Sequence, residues 1–184
     1  MTEPMDQDER QRALDVVTRV VAEAGLQHEP GARDGELVVT LPGERKLKTV
    51  TSLVVGEQAL SVSAFVIRNA DENHEEFYRH LLRRNLRMPL LAYSVDSSGD
   101  VYVGGRIPLR AVTDELVDQV LGIVLEAADA PFNELLLLGF RSSMQKEWDW
   151  RVSRGESLRN LEAFRPMLER EGDGAPAPDG PPQD

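Results

Sequence analysis

Three β-rich runs separated by very short connections restrict the fold of this chain more than any other feature. The runs cover residues 36–41, 46–55 and 59–67, and turn-forming residues separate them at Pro42-Gly43 and at residues 56–58. A connection of so few residues cannot reach a parallel neighbour, because a parallel crossover needs a dozen residues or more. The runs therefore predict consecutive antiparallel hairpins.

A second pair of β-rich runs and three helical patterns complete the predicted order. Residues 90–95 and 100–106 flank a turn sequence and predict another hairpin. Apolar residues recur at helical spacing in residues 8–24, 71–87 and 113–138. Within the last of these, Pro131 predicts a kink or a new helical start. The order α-β-β-β-α-β-β-α predicts an α+β fold with a mainly antiparallel, five-stranded sheet.

The length of 184 residues predicts a single domain, because domains commonly hold about 100–200 residues. We expect this domain to span residues 1–170, with a helical extension that begins at about residue 143. Residues 171–184 are acidic and rich in Pro and Gly, a composition that predicts a disordered tail.

Charge and cysteine content exclude several classes of function. The formal net charge is −11, which opposes binding to nucleic acid or to an anionic membrane. The absence of cysteine removes disulfides, thiolate metal sites and cysteine nucleophiles. No run of 18 apolar residues could span a membrane, and the first residues lack the apolar core of a signal peptide. We therefore expect a cytoplasmic protein.

Two of the three histidines lie in residues 73–89, but their spacing does not suit a metal. His74 and His80 are six residues apart, which is about 600° around a helix. A zinc-binding helix places its histidines four residues apart so that both face one ion. We expect neither a metal site nor a cofactor.

The same segment carries a stripe of arginines, Arg79, Arg83 and Arg87, with Arg84 beside it. Glutamates precede the arginines, an order that complements the helix dipole, and Glu75 can pair with Arg79. A solvated charged face is the leading interpretation. A site for an acidic protein segment and a nucleic-acid contact are the two alternatives. The buried stripe of this helix is expected to consist of Phe77, Tyr78, Leu81, Leu82 and Leu86.

Two further features are candidates for binding, and neither indicates catalysis. Trp148 and Trp150 form either an exposed recognition pair or a packing contact for the C-terminal segment. The stretch from Gly104 to Arg106 is a candidate strand end for a small ligand or an enzyme site, although it lacks a phosphate-binding pattern. No residues pair a nucleophile with a base, so we expect no enzyme activity.

Several segments resemble the YbjN-like family of bacterial proteins, which are labelled sensory transduction regulators. They are FYRHLLRRN, VDSSGDVYVGGRIPL and FNELLLLGF, together with AGLQHEPGARDGELVVTLPG nearer the N-terminus. The resemblance covers about residues 10–142 and leaves out the extension from Ser143. It implies a fold similar to that of class I type III secretion chaperones, and with it a homodimer and a client protein.

The residues and the resemblance together predict a non-enzymatic regulatory or chaperone-like protein that holds a segment of an unknown client. The candidate partner-binding residues are Arg79, Arg83, Arg84, Arg87, Trp148 and Trp150. One alternative is a small-ligand binder or enzyme that uses the Gly104–Arg106 strand end. The other is a nucleic-acid-binding regulator that uses the arginine helix.

Overall fold

A computed structural model describes residues 4–172, and the side-chain environments of residues 7–168. The described residues fall into two compact units, one that ends at Gly139 and one that begins at Phe140. The predicted tail, residues 171–184, lies outside the described residues except for its first two, which end the last helix.

The first unit contains a six-stranded antiparallel sheet, with strands in the order β1-β2-β3-β4-β6-β5. The strands are β1 Gln27–Pro30, β2 Glu36–Pro42, β3 Lys48–Val55, β4 Ala59–Ile67, β5 Ala92–Val95 and β6 Val101–Pro108. All five neighbouring pairs are antiparallel, as the short connections predicted. The α+β fold is therefore confirmed.

The sheet has six strands and not the predicted five, because β1 is an additional edge strand outside the predicted β-rich runs. In the structure Gln27 pairs with Thr40 and Pro30 pairs with Leu37, so β1 adds an edge to the sheet. All four side chains of β1 are exposed. A strand without a buried face shows no alternation of apolar and polar residues, and its sequence therefore carried no strand signal.

Three helices and the start of a fourth accompany the sheet in the first unit. They are α1 Pro4–Glu23, α2 His74–Asn85, α3 Asp114–Asp129 and the beginning of α4 Phe132–Arg154. Thr113 caps α3 by accepting a hydrogen bond from the N–H of Leu116, which confirms the predicted start of this helix. Helix α4 begins directly after Pro131, as predicted.

The core lies between one face of the sheet and helices α1 and α3. Alternate residues of β3, among them Leu53 and Val55, are fully buried, and α3 contributes Val117, Val120 and Val124 to the same core. Side chains of the opposite sheet face are half-buried or exposed. This one-sided burial is typical of an antiparallel sheet.

The second unit is a helical hairpin. The backbone of α4 leaves helical geometry at Phe140 and then continues to Arg154. Gly155, with φ of 66°, turns the chain, and a 3-10 helix, Arg159–Phe164, leads into α5 Arg165–Gly172. Trp148 is buried, and the guanidinium of Arg165 lies 5.8 Å from the centre of its ring.

Candidate functional site

Helix α2 has a buried face and an exposed apolar face. Phe77 and Leu81 are buried, as predicted. The prediction that Leu82 and Leu86 are also buried is wrong, because their side chains are 64% and 87% exposed. The neighbours of α2 cover only a narrow stripe of the helix, and Tyr78, Leu82 and Leu86 lie at four-residue spacing outside it. We call these three residues the leucine row.

The arginines of α2 and of the turn that follows it fall into two groups. Arg79 donates to both Glu75 and Glu76, which confirms the predicted pair with Glu75. Among the residues that the structure describes, Arg83, Arg84 and Arg87 form no ion pair with any carboxylate. Because Arg79 is neutralised on its own helix, only the other three guanidinium groups are free to attract an anion.

The three unpaired arginines border one cavity, which we call the arginine cleft. Its volume is about 430 Å³, and it lies between the C-terminal half of α2 and helix α3. It is lined by His80, Arg83, Arg84, Arg87, Met88, Pro89, Tyr93, Ile123, Glu126 and Ala127. The lining thus combines a cationic side with an apolar wall and a single carboxylate.

Tyr93 forms the floor of the arginine cleft and is held by several contacts. Its hydroxyl donates to the carbonyl of Ala127 over 2.8 Å. The side-chain amide of Asn85, the last residue of α2, accepts from the N–H of Tyr93 and donates to its carbonyl. Burial raises the pKa of the Tyr93 phenol, the Arg84 guanidinium opposes this rise, and the Glu126 carboxylate adds to it. The charges of Arg84 and Glu126 therefore both affect the pKa of the tyrosine at the floor of the cleft.

The loop between α2 and β5 contributes Met88 and Pro89 to the cleft, and the residue after them has a strained backbone. Leu90 has φ of 62°, a left-handed conformation that is uncommon for a residue other than glycine. The loop lies so close to β6 that a Cβ atom at Gly105 would be 2.8 Å from the carbonyl oxygen of Leu90. Strain of this kind often occurs next to binding sites.

His80 gives the cleft wall a polar group without a complete set of partners. Its Nδ1 atom lies 3.4 Å from a carboxylate oxygen of Glu134. Its Nε2 atom is buried and has no hydrogen-bond partner in the described part of the chain. Within residues 4–172 no three His, Asp or Glu side chains come together in an arrangement that could hold a metal ion.

The remaining candidate residues are the two tryptophans of the second unit and the stretch from Gly104 to Arg106 in the first. Trp148 is 6% exposed and Trp150 is 44% exposed, so a partner at the surface can reach only Trp150 without rearrangement. The stretch from Gly104 to Arg106 is not a strand end, because β6 continues to Pro108 and pairs with β4 throughout. A Cβ atom at Gly104 would be 2.3 Å from the carbonyl oxygen of Val62, so this glycine allows the two strands to approach. None of the described helices could cross a membrane.

Sequence reasoning found the arginines but missed the residues that turn them into a cleft. Asn85, Tyr93, Ile123 and Glu126 lie on three different elements and carry no joint signal along the chain. Asn85 is the last helical residue before a proline-containing loop, and this position was the one available hint of a structural role for its amide.

Comparisons with known proteins place the chain among bacterial sequences. The YbjN family model, described as "Putative bacterial sensory transduction regulator", matches residues 13–137. Uncharacterized protein ML2442 of Mycobacterium leprae is 56% identical over 146 residues, which are 78% of this chain and 79% of that protein. Uncharacterized protein Rv0487 of Mycobacterium tuberculosis is 58% identical over 139 residues, which are 75% of this chain and 76% of that protein.

Two solved structures are similar to the chain at low sequence identity. A chain of the ExsC–ExsE complex is 18% identical with a TM-score of 0.49, over 68% of this chain and 94% of that one. The Yersinia pestis type III secretion chaperone SycH, in complex with a fragment of YscM2, is 19% identical with a TM-score of 0.47. That match covers 63% of this chain and 96% of that one.

Proposed function

Because this chain belongs to the YbjN family, we propose that it is a non-enzymatic regulatory protein that binds a segment of another protein along helix α2. The observation that carries the proposal is the leucine row. Full burial of a leucine is worth about 1.5–3 kcal/mol, so Leu82 and Leu86 together favour a partner that covers them. Exposed apolar surface of this kind often marks a protein-binding site.

The charges beside the leucine row define the chemistry of the partner. The shallow groove that contains Tyr78, Leu82 and Leu86 is also bordered by Arg83 and by the ion pair of Glu75 with Arg79. Arg83 has no carboxylate partner in the described chain. An amphipathic segment with apolar residues along one side and carboxylates beside them would bury the leucines and pair with the arginine. The partner is therefore proposed to be acidic and amphipathic.

Replacement of the two leucines tests the leucine row directly. The double variant Leu82→Gln, Leu86→Gln keeps good helix formers at exposed positions, so its fold and melting temperature should match the wild type. Proteins captured from lysate by the tagged wild type should be lost from this variant. Leu47→Gln is the matched control, because Leu47 is 84% exposed but lies outside α2. Equal capture by the double variant and the wild type would contradict the proposal.

The arginine beside the row is tested in the same way. Once a captured protein is identified, Arg83→Gln should weaken its binding several-fold and reduce the dependence of the affinity on salt. Arg79→Gln is the control on the same helix, because Arg79 is already paired with Glu75 and Glu76. A larger loss with Arg79→Gln than with Arg83→Gln would refute the assigned role of Arg83.

The proposal includes a homodimer in the cytoplasm. Size-exclusion chromatography with light scattering should give twice the chain mass of 20.5 kDa. A mass of one chain at all accessible concentrations would contradict the homodimer, and fractionation of cells that carry the tagged protein would test the location.

A further inference from the structure

We propose that the arginine cleft binds a small dianion, either a phosphate ester or a dicarboxylate, that carries an apolar group. This site lies beside the leucine row and does not depend on which protein the row engages. The proposal stands on the charge, the shape and the hydrogen-bonding groups of the cleft.

The charge of the cleft is opposite to that of the chain. Arg83, Arg84 and Arg87 contribute three positive charges and Glu126 contributes one negative charge, so these four side chains give the lining a formal charge of +2. The whole chain carries −11, yet in the described residues none of these arginines is paired with a carboxylate. A ligand with two negative charges would neutralise the lining, and a phosphate monoester carries about −1.5 to −2 at neutral pH.

The shape of the cleft suits a small molecule. Its volume of about 430 Å³ falls in the range of about 300–1,000 Å³ that is typical of small-ligand sites. The floor is formed by buried groups, Tyr93 and Ala127, and the apolar part of the wall comes from Met88, Pro89 and Ile123. The apolar wall would accommodate the uncharged part of the ligand.

The polar groups differ in depth, and this difference assigns them separate roles. Arg84 is half-buried and lines the cleft together with Tyr93, so it is placed to bind the anionic head group inside the cleft. Arg83 and Arg87 are exposed at the rim, where they would attract the anion and close over it. The planar guanidinium groups match the oxygens of phosphate and carboxylate. Glu126 would repel a third negative charge, which favours a dianion over a more highly charged ligand.

Calorimetry with two model dianions tests the site. Phenyl phosphate and phthalate each combine two negative charges with an apolar ring, and benzenesulfonate is the matched monoanion. At pH 8 and low salt we expect both dianions to bind with one-to-one stoichiometry and benzenesulfonate to bind at least about tenfold more weakly. Binding by phenyl phosphate alone would identify the ligand as a phosphate ester, and binding by phthalate alone would identify it as a dicarboxylate. Failure of both dianions to bind at millimolar concentration would overturn the proposal.

Single-residue variants test whether phenyl phosphate binds in the arginine cleft. Arg84→Gln should weaken phenyl phosphate binding by at least about tenfold, because it removes a charge-assisted hydrogen bond. Arg79→Gln should change the affinity less than about twofold, since its charge is already neutralised by two glutamates. Glu126→Gln should tighten binding several-fold, because it removes the one opposing charge of the lining. If Arg79→Gln and Arg84→Gln reduced the affinity equally, the ligand would respond only to the overall surface charge, and the assigned site would be refuted.

Two measurements keep the test decisive if Arg84→Gln does not fold. The double variant Arg83→Gln, Arg87→Gln alters only exposed side chains and should also weaken binding. Nuclear magnetic resonance should show ligand-induced shifts at Tyr93, Ile123 and Ala127, and shifts confined to other parts of the surface would overturn the proposal. The leucine variant Leu82→Gln, Leu86→Gln should retain the dianion site, so the outcome for the cleft is separate from the outcome for the protein partner.

Discussion

At the scale of single residues, Asp129 fixes the loop between β2 and β3. Its carboxylate, at the end of α3, accepts from the N–H groups of Arg45 and Lys46, each over 2.8 Å. Burial acts to raise the pKa of Asp129, but the N–H groups of Lys46 and Arg45 outweigh it, and the pKa is lowered from its usual 3.8. The charged form of this carboxylate therefore stabilises the fold.

We expect Asp129→Ala to lower the free energy of unfolding by about 1–3 kcal/mol at pH 7, because the loop N–H groups lose their acceptor. A carboxyl whose folded pKa is lowered stabilises the protein above its unfolded pKa, and this contribution is lost as the pH falls through the folded pKa. The difference between wild type and variant should thus shrink below a pH of about 4. Urea unfolding at several pH values measures this difference in the free energy of unfolding, and a variant of an exposed carboxylate, Asp118→Asn, is the control. A difference that is constant with pH would contradict the role of the charge.

The sequence predicted the chemistry of single residues better than their environment. The pair of Glu75 with Arg79 follows from helical spacing alone and is present in the structure. The exposure of Leu82 and Leu86 could not be predicted, because periodicity identifies apolar positions but does not show how much of the helix its neighbours cover. The arginine cleft depends on α2, α3 and β5 meeting in space, which single-sequence patterns do not report.

At the scale of elements, Gly139 joins the first part of α4 to the segment that precedes α2. Its carbonyl accepts from the N–H groups of Asp71 and Glu72. A Cβ atom at this position would lie 2.8 Å from the Cβ of Ala70 and 3.0 Å from the ring of Phe77. The missing side chain therefore permits close approach of the two segments.

Gly139→Ala should reduce the free energy of unfolding by about 1–3 kcal/mol, because the added methyl group overpacks the contact with Ala70 and Phe77. Gly122→Ala in α3 is the matched control, since an added Cβ there meets nothing within 4 Å. That control should stabilise the protein by about 0.5–1 kcal/mol through helix propensity. Thermal or chemical unfolding measures both, and a neutral or stabilising Gly139→Ala would show that the packing can relax.

Predictability also varied among the elements. Strands β2, β3 and β4 carry alternating or continuous apolar residues and were predicted within two residues of their observed bounds. Strand β1 was missed because it has no buried side chain. The helix from residue 132 was predicted as far as residue 138 but continues beyond the glycine that weakens its pattern.

At the scale of the whole molecule, the proposal of one domain leads to a test of cooperativity. Both tryptophans lie in the second unit, and the six described strands lie in the first. If the chain unfolds as one domain, tryptophan fluorescence and far-ultraviolet circular dichroism should give the same midpoint in urea. Two separate midpoints would show that the second unit unfolds independently.

The net charge of −11 leads to a second test at this scale. Duplex DNA attracts proteins mainly through its phosphates, and the overall field of this chain opposes that attraction. We expect no change in the fluorescence anisotropy of a labelled duplex in about 0.1 M salt, where the screening length is about 10 Å. Saturable binding that is lost in the double variant Arg83→Gln, Arg87→Gln would instead support a nucleic-acid regulator.

The two edges of the sheet are short, and this limits the pairing of strands from other molecules with the sheet. Edge strands β1 and β5 have four residues each, and β1 ends in Pro30, which has no N–H to donate. A foreign strand would gain only a few backbone hydrogen bonds at either edge, too few to offset the entropy lost on ordering it. The short edges therefore disfavour edge-to-edge association of the sheets of two molecules.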